Sequence, residues 1–565
     1  MDRTEAKILV KNLLRRIKPI DAEQFELAGV ITDGELAALH YALAMLDGGE
    51  PVQVVPPSSS LIPTGSPVFH QTAKTATTDE QGDDDFPIEL NLSIFDLPKP
   101  SSKERLCLDF GTAMSKATLV MNDLDDDEME EIHVLELGIP GDQHEVSDTM
   151  LISSLYIDNK GFFWFGKKAV DRSAVEGRDG ERMRIDNVKR YLSESAMQTS
   201  VAGMYNPTPN ELTGGDVLLA YLMFMTWATN AVATKHGVSR NIERRFAMPC
   251  FGNPQGREVE RELRKLLGEA QVLADTFSRS LHNGLSVSEF IKAVRQLRET
   301  PRQYDFVTEA LTEPLGVANA LLSNQSNVRR LTLIVDVGAG TSDVSLYRLQ
   351  VNADTGARQA VEAKGAARGI PLAGNYLDRA LTELIISKAG VKPDNPRNVF
   401  IRSNLALSIR DYKESLFNSE SLTVVLLDGQ VVDIEVQELY ELEPVKTFKS
   451  ELRKCVTDML EEIDDSWVGV ASHEGLAVIL TGGGSNLSMV QELMSGEIEV
   501  KGKTVRLMRT PTFPGWLKAE YPALEDDFPR VAVSLGGGRL SLICSTLAQV
   551  TAGDVRGPAP RLPRF

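Results

Sequence analysis

The sequence predicts a mixed α/β fold made of two related lobes, with a short helical region before them. The chain has 565 residues, which at roughly 100 to 200 residues per domain corresponds to several structural units. Hydrophobic residues make up 42% and charged residues 25%, so most of the chain can fold around a core. One strand–turn–strand pattern also occurs twice, which is typical of a duplicated fold.

Charge and cysteine content argue against several classes of protein. The formal net charge is −20, so the summed field repels nucleic acids and anionic membranes, and we expect neither as a partner. The four cysteines lack metal-binding spacing and the N-terminus lacks an apolar signal core, which predicts a cytoplasmic location. The apolar residues 217–234 include polar side chains and barely reach the roughly 20 residues of a membrane span. We expect a buried core helix there.

Composition and periodicity divide the chain into five segments. The first has apolar residues at helical spacing, and the second is rich in Pro, Ser, Thr and acidic residues, as in flexible linkers. Within the linker an alternating apolar patch, residues 88–97, either docks on the body or is unstructured. The predicted segments are a helical region (1–48), a linker (49–103), two lobes (104–330 and 331–548) and a loose tail (549–565).

The repeated pattern is an apolar strand that ends in Asp, followed by a Gly-Thr turn and a second strand. It spans residues 106–120 and again residues 333–347. Its polar and glycine positions are Asp109, Gly111 and Thr112 in the first copy, and Asp336, Gly338, Gly340 and Thr341 in the second.

The composition of these two hairpins suits a phosphorylated ligand. Glycine has no Cβ, so backbone N–H groups can approach phosphate oxygens, while the threonine hydroxyls add donors. A buried Asp is costly unless a cation compensates it, and hydrated Mg²⁺ would do so for both Asp109 and Asp336. Two such hairpins facing each other predict a clamp for one nucleoside triphosphate.

A third glycine-rich turn follows an apolar strand near the C-terminus. Gly482, Gly483 and Gly484 lead through Ser485 into a helix, which allows close backbone approach to a flat or phosphorylated ligand. In this order, the two hairpins and the glycine turn resemble the superfamily of actin, sugar kinases and heat-shock chaperone ATPases. The resemblance implies a two-lobed actin-like fold of duplicated ribonuclease H-like domains.

Four further motifs resemble the ATPase domain of DnaK-type heat-shock chaperones. Lys189 matches a Lys that reaches the γ-phosphate, and Pro249 and Arg257 match a proline switch and its relay Arg, which signal between the lobes. Glu313, in a Glu-Pro pair, matches a Glu that orients attacking or metal-bound water. Gly374 lies in a segment similar to the loop that opens the upper part of the second lobe.

The sequence also departs from this family. Ala113 stands where the family has a second Thr, and Glu414 stands where it has an Arg that stacks on adenine, although Lys413 matches an adenosine-contacting Lys. An insertion of about residues 275–308 precedes Glu313. It is either a partner surface or a neutral elaboration. No peptide-binding domain is recognisable, so we do not expect a self-contained foldase.

The resemblance implies that Mg-ATP binds between the lobes. Asp109 and Asp336 would hold hydrated Mg²⁺, Lys189 would stabilise charge on the transferred phosphoryl group, and Glu313 with Asp343 would orient the attacking water. The predicted nucleotide-binding residues are Gly111, Thr112, Ala113, Gly338, Gly340, Thr341, Gly374, Lys413, Gly482, Gly483, Gly484 and Ser485.

Three functional hypotheses follow. The first is a chaperone-like ATPase whose slow hydrolysis switches its conformation and regulates a protein client or partner, such as a J-domain protein or a nucleotide exchange factor. The second is an actin-like filament or scaffold protein that assembles when ATP-bound. The third, a small-molecule kinase, needs an acceptor site that the sequence does not reveal.

Overall fold

The structure is a computed structural model, which describes residues 17–19, 25–27, 87–122, 130–138, 148–177, 182–251, 255–322, 327–352, 357–392, 395 and 397–539. The chain divides into two compact units, Met1–Asp84 and Asp85–Phe565. We call the second unit the body. Its described residues form a mixed α/β fold, as the sequence predicts.

The first unit contributes two short strands to the described residues. Strands β1 (Ile17–Pro19) and β2 (Phe25–Leu27) pair antiparallel. The helical prediction for residues 1–48 is therefore wrong for these two segments. The helices predicted for the remainder of residues 1–48, the linker residues before 87 and the predicted tail 549–565 lie outside the described residues.

The first large sheet of the body has six strands. They are β3 (Glu104–Asp109), β4 (Met114–Asn122), β5 (Glu130–Val134), β6 (Leu151–Ile152), β9 (Glu243–Met248) and β11 (Val307–Thr312). The order is β5-β4-β3-β9-β11, with β6 on β4. The β5-β4-β3 part is antiparallel, whereas β9 and β11 continue it in parallel.

The second large sheet repeats this arrangement. Its seven strands are β12 (Val328–Val337), β13 (Ser342–Asn352), β14 (Ala357–Glu362), β15 (Arg368–Ile370), β18 (Leu476–Thr481), β19 (Gly496–Val500) and β20 (Lys503–Arg509). The order is β14-β13-β12-β18-β20-β19, with β15 on β13. Strands β14-β13-β12 are antiparallel, and β18 and β20 continue in parallel. Five strands therefore share order and direction in the two sheets.

Two smaller sheets and fourteen described helices complete the body. The smaller sheets are β7 (Leu155–Ile157), β8 (Phe162–Phe165) and β10 (Leu285–Ser286), and β16 (Ser421–Val425) with β17 (Val431–Glu435). The helices are α1 (Gly166–Glu176), α2 (Arg190–Ser193), α3 (Gly214–Lys235), α4 (Gln255–Thr276), α5 (Val287–Glu299), α6 (Glu313–Leu321), α7 (Gly374–Lys388), α8 (Asn398–Ser419), α9 (Val436–Tyr440), α10 (Glu443–Glu462), α11 (Asp465–Glu474), α12 (Ser488–Leu493), α13 (Gly515–Glu520) and α14 (Phe528–Gly538).

Helix α3 is a central part of the first core. A capping box starts it: the Thr213 side chain accepts a hydrogen bond from Asp216 N, and the Asp216 side chain accepts one from Thr213 N. Within the described residues this one helix is long and apolar enough to cross a membrane, and most of its residues are buried inside the body. Burial on almost every side of the helix agrees with the predicted core helix.

Residues 87–103 lie on the body, whereas the predicted linker extended to residue 103. Ile94 is only 2% exposed, in a short 3-10 helix, Ser93–Asp96, rather than a strand. The Asn91 backbone N–H donates to Thr276 Oγ1 at 3.0 Å, and Arg240 Nη2 donates to Ser93 Oγ at 2.7 Å. The apolar patch is therefore docked, because its side chains gain burial in the first core.

The predicted insertion is integrated into the same core. It contributes β10 and α5, and Phe290 of α5 is fully buried. Arg298 Nη2 of α5 pairs with Glu269 Oε2 of α4 at 2.7 Å, and the Glu269 side chain is 2% exposed. This pair, in which Glu269 is buried and Arg298 is partly exposed, links α5 to α4.

Helices α6 and α14 cross at two glycines, and this crossing positions Glu313, the first residue of α6. A Cβ on Gly536 would lie 1.8 Å from the Gly316 carbonyl oxygen, and a Cβ on Gly316 would lie 2.7 Å from Val533 O. The obstacles are backbone atoms that a side-chain rotation cannot relieve. Only glycine at both positions allows the two helices to approach this closely.

Replacing Gly536 with alanine is expected to lower the free energy of unfolding by about 3 kcal/mol, because the methyl group overpacks a backbone crossing. Alanine is the better helix former by about 1 kcal/mol, so a loss of stability would show that the steric effect dominates. Urea unfolding of the wild type and the variant measures the change in the free energy of unfolding. Gly203→Ala is the control, since a Cβ there meets nothing within 4 Å. Equal stability of the two variants would contradict the prediction.

Candidate active site

A cleft of about 920 Å³ lies between residues of the two large sheets. This volume is within the range of sites for small molecules and cofactors. Its walls contain the turns of both predicted hairpins, the third glycine turn, and the side chains of Lys189 and Glu313. Residues that are far apart in the sequence therefore share one site.

The two hairpins meet in the cleft. The β3–β4 and β12–β13 pairs are antiparallel, as predicted for strand–turn–strand repeats. A Cβ on Gly340 would lie 2.6 Å from Thr112 Oγ1, so the second hairpin closely approaches the first. The residues of the hairpins that line the cleft are Asp109, Gly111, Thr112, Ala113, Met114, Lys116, Asp336, Gly338, Ala339, Gly340 and Thr341.

The third glycine turn lies beside the Asp336 carboxylate. Gly482 has a φ of +79°, and a Cβ there would lie 2.3 Å from Asp336 Oδ1. Both the backbone conformation and the lack of space therefore require glycine at this position. Gly483 and Gly484 also line the cleft, but the predicted Ser485 does not. Ser485 is 3% exposed, and its hydroxyl donates to Gly482 O at 2.8 Å. Ser485 therefore stabilises the turn through this hydrogen bond and is not part of the cleft surface.

Lys189 and Glu313 form an ion pair in the cleft wall. Lys189 precedes α2 and Glu313 begins α6, and Lys189 Nζ donates to Glu313 Oε1. Burial opposes the charge on Lys189, but the charges of Glu313 and Asp109 more than offset it and raise the pKa of Lys189. Lys189 is therefore a fixed positive charge near the hairpins.

Asp343 lies behind the cleft wall. It is 1% exposed, and it accepts hydrogen bonds from Cys250 N at 3.0 Å and from Thr341 Oγ1 at 2.8 Å. Burial, then the charge of Glu313, raises the pKa of Asp343 to about 7. The predicted role in orienting water requires Asp343 to lie at the surface of the cleft. The structure does not place it there. It holds the Thr341 hydroxyl instead.

The floor of the cleft carries an excess of carboxylates. Burial, followed by the charges of Glu313, Asp343 and Asp109, raises the pKa of Asp336 well above its usual value. Lys116 Nζ lies 3.3 Å from Asp109 Oδ2 and offsets part of this charge. A buried carboxylate among other carboxylates fits a cation in chemical terms. Among the described residues no group of three His, Cys, Asp or Glu is placed to ligate a metal directly.

One face of α8 forms another part of the cleft wall. Lys413 Nζ pairs with Asp378 Oδ1 at 2.6 Å and donates to Gly374 O at 3.1 Å, so both predicted residues, Lys413 and Gly374, line the cleft. Glu414, which the sequence places where the family has an adenine-stacking Arg, also lines the cleft. Sequence reasoning missed the remaining members of this face, which are Ala406, Leu407, Ile409, Arg410, Asp411, Phe417 and Asn418.

A polar pair on another part of the wall was also missed. Arg184 Nε donates to Asp186 Oδ1 at 2.5 Å, and Ser154 Oγ donates to the same oxygen at 2.6 Å. Burial would raise the pKa of Asp186, but the charges of Arg184 and Arg410 outweigh it and lower that pKa. Arg410 belongs to α8, so charges act between the two parts of the wall. Nothing in the local sequence of either segment signals this.

Pro249 and Arg257, the predicted signalling residues, do not line the cleft. Pro249 follows β9 and is buried, and the next residue, Cys250, donates its backbone N–H to Asp343. Arg257 is exposed on α4. Pro249 is thus one residue from a group that contacts the second hairpin, whereas Arg257 faces solvent.

No protein-family model matches the sequence, and a comparison with curated proteins finds no significant match.

Proposed function

We propose that this protein is an ATPase that binds Mg-ATP in the cleft and hydrolyses it slowly, and that hydrolysis changes its conformation to regulate a protein client or partner. The observation that carries the proposal is the meeting of two hairpins of one design, one from each large sheet, in a single cleft. Both turns offer glycine backbone and a threonine hydroxyl, the donors that bind phosphate groups.

The proposal includes an actin-like fold of two lobes, with an ATPase body similar to that of DnaK-type chaperones. It is supported by the five strands that share order and direction in the two sheets. The α6–α14 crossing, where two backbones touch at glycine, gives such lobes a common packing surface. Movement there would change the position of Glu313, the first residue of α6.

The residues of the cleft fit a magnesium nucleotide. Asp109 and Asp336 would hold Mg²⁺ through water, and the cation would neutralise charge on the phosphate groups. The hairpin N–H groups and the Thr112 hydroxyl would bind phosphate oxygens. Thr341 Oγ1 donates its one proton to Asp343, so the Thr341 hydroxyl would have to turn from Asp343 to the nucleotide before it donates to a phosphate oxygen. Asp343 is therefore a positioning residue in this proposal.

Lys189 and Glu313 would supply the chemistry of hydrolysis. The ammonium group of Lys189 would stabilise negative charge on the transferred phosphoryl group, because a fixed charge in a buried site needs no reorganisation. The Glu313 carboxylate, held by Lys189 Nζ, would accept a hydrogen bond from the attacking water and orient it. Catalysis by positioning and electrostatics alone is consistent with slow turnover.

The decisive experiment measures phosphate release from ATP per molecule of protein, with and without Mg²⁺, over a wide range of protein concentration. We expect a slow Mg²⁺-dependent rate that does not change with concentration. Free phosphate without a phosphorylated metabolite separates hydrolysis from kinase activity. A rate that rises above a threshold concentration would favour the filament hypothesis. No turnover and no nucleotide binding would overturn the proposal.

A further inference from the structure

The face of α8 that lines the cleft has the composition of a site for a nucleobase. Its cleft-lining residues recur at intervals of three and four, so they share one side of the helix. Four of them form what we call the base wall: Arg410, Glu414, Phe417 and Asn418. The inference that follows rests on the proposed function and concerns the base of the bound nucleotide.

The base wall lies beside the second phosphate hairpin. Gly374 donates its backbone N–H to Gly338 O at 3.1 Å, and Lys413 Nζ donates to Gly374 O. Glu414 follows Lys413 in the same helix. A nucleotide with its phosphates at the hairpins would therefore extend its nucleoside along α8.

The structure shows no hydrogen-bond or ion-pair partner for the described side chain of Glu414. It is exposed within the cleft wall, whereas Asp171, Asp186 and Asp378 of that wall are paired with cations. Among the described residues that line the cleft outside the hairpins, Glu414 is the carboxylate for which the structure shows neither a hydrogen bond nor an ion pair. A ligand in the cleft can use both of its oxygens as acceptors.

A carboxylate distinguishes the two purines by the donors that they present. Guanine has two adjacent donors, N1–H and the N2 amino group, which match the two oxygens of a carboxylate. Adenine has one donor, the N6 amino group, next to the N1 lone pair, which a carboxylate oxygen repels. We propose that Glu414 reads the base and that the cleft prefers guanine nucleotides to adenine nucleotides.

The other groups of the base wall complement guanine as well. Phe417 is half-buried, its ring centroid lies 6.0 Å from that of Tyr440, and it lines the cleft, where an aromatic side chain can stack on a base. Arg410 and the Asn418 amide can donate hydrogen bonds to guanine O6 and N7, as side chains do in protein contacts with guanine in nucleic acids. One helix face therefore offers stacking, acceptors and donors. ATP can still occupy the same phosphate site, with a poorer match at the base.

The test compares Mg²⁺ complexes of GTP, ITP and ATP by calorimetric titration of the full chain. A bidentate base contact is worth at least about a fivefold difference in affinity, so we expect GTP to bind at least about fivefold tighter than ATP. ITP lacks the N2 amino group and should lie between them. Glu414→Gln should bring the three affinities close together.

Glu420→Gln is the matched control, because Glu420 follows α8, is exposed and lies outside the cleft. It should keep the wild-type preference. Two outcomes would overturn the inference about the base and leave the proposed function unaffected. One is that ATP binds as tightly as GTP, and the other is that the preference for GTP survives Glu414→Gln. Failure of all three nucleotides to bind would overturn both.

Discussion

Replacing Lys189 with alanine is expected to lower the rate of ATP hydrolysis by about 10²- to 10³-fold, the usual cost of removing one preorganised charge-stabilising donor from an active site. The reason is the position of the Lys189 ammonium group, which is buried in the cleft wall beside the carboxylates of Glu313 and Asp109. Affinity for ADP should change little, because ADP lacks the γ-phosphate. Single-turnover phosphate release and ADP titration measure the two quantities.

This variant will also lose stability, and the two effects must be separated. Removing one partner of a buried ion pair leaves the other charge uncompensated, at a cost of about 3 to 5 kcal/mol. The double variant Lys189→Met with Glu313→Gln removes both charges and keeps most of the volume. It should recover most of the stability but none of the turnover. If turnover returns together with stability, Lys189 and Glu313 both have only structural roles.

An exposed lysine gives the matched control. Lys388 pairs with Glu438 at 2.7 Å on the surface, outside the cleft, and surface pairs contribute about 1 kcal/mol or less. Lys388→Ala should therefore keep both the turnover and most of the stability. A similar loss of turnover in the two variants would contradict the special role of Lys189.

The glycine and acidic motifs were predictable from the sequence because each has a local signature. A strand that ends in Asp before a Gly-Thr turn can be read twice in the sequence, and the structure brings Asp109 and Asp336 to the same cleft. Lys189 and Glu313 lack such a signature. Their place in the order of motifs suggested them, and the tertiary structure pairs them.

Other features could not be read from sequence because they depend on which side of an element faces inward. Asp343 and Ser485 belong to the right motifs, but their side chains point away from the cleft and hydrogen-bond within their own hairpin or turn. The base wall of α8 has regular spacing, as many surface helices do. Only its packing beside the second hairpin distinguishes it.

Neutralising Asp336 is expected to stabilise the nucleotide-free protein while it reduces turnover. The Asp336 side chain is buried among the carboxylates of Glu313, Asp343 and Asp109, and its pKa is raised. Asparagine keeps its shape and removes an ionisable group whose charged form the folded protein disfavours. We expect Asp336→Asn to raise the free energy of unfolding at pH 8, because the unfolded chain no longer gains from ionising this carboxyl. Urea unfolding without Mg²⁺ or nucleotide measures this change.

The raised pKa values of Asp336 and Asp343 determine how the stability of the protein changes with pH. A carboxyl whose pKa is raised on folding stabilises the folded state below its unfolded pKa of about 4. That contribution is lost as the pH rises through the folded pKa, which is about 7 for Asp343 and shifted in the same direction for Asp336. The wild-type protein should therefore lose stability between about pH 4 and pH 7 from these groups, and Asp336→Asn should lose less.

Stability gained at the expense of activity would identify Asp336 as a residue kept for ligand binding, because active sites commonly retain groups that destabilise the empty protein. Asp526→Asn is the control: Asp526 is exposed and outside the cleft, so its substitution should alter neither quantity. Addition of Mg²⁺ and nucleotide should narrow the stability difference, since these ligands bind the wild type more tightly. If Asp336→Asn were less stable than the wild type at pH 8, the Asp336 carboxylate would instead have a compensating partner in the empty protein, and its place in the proposed cation site would lose its main support.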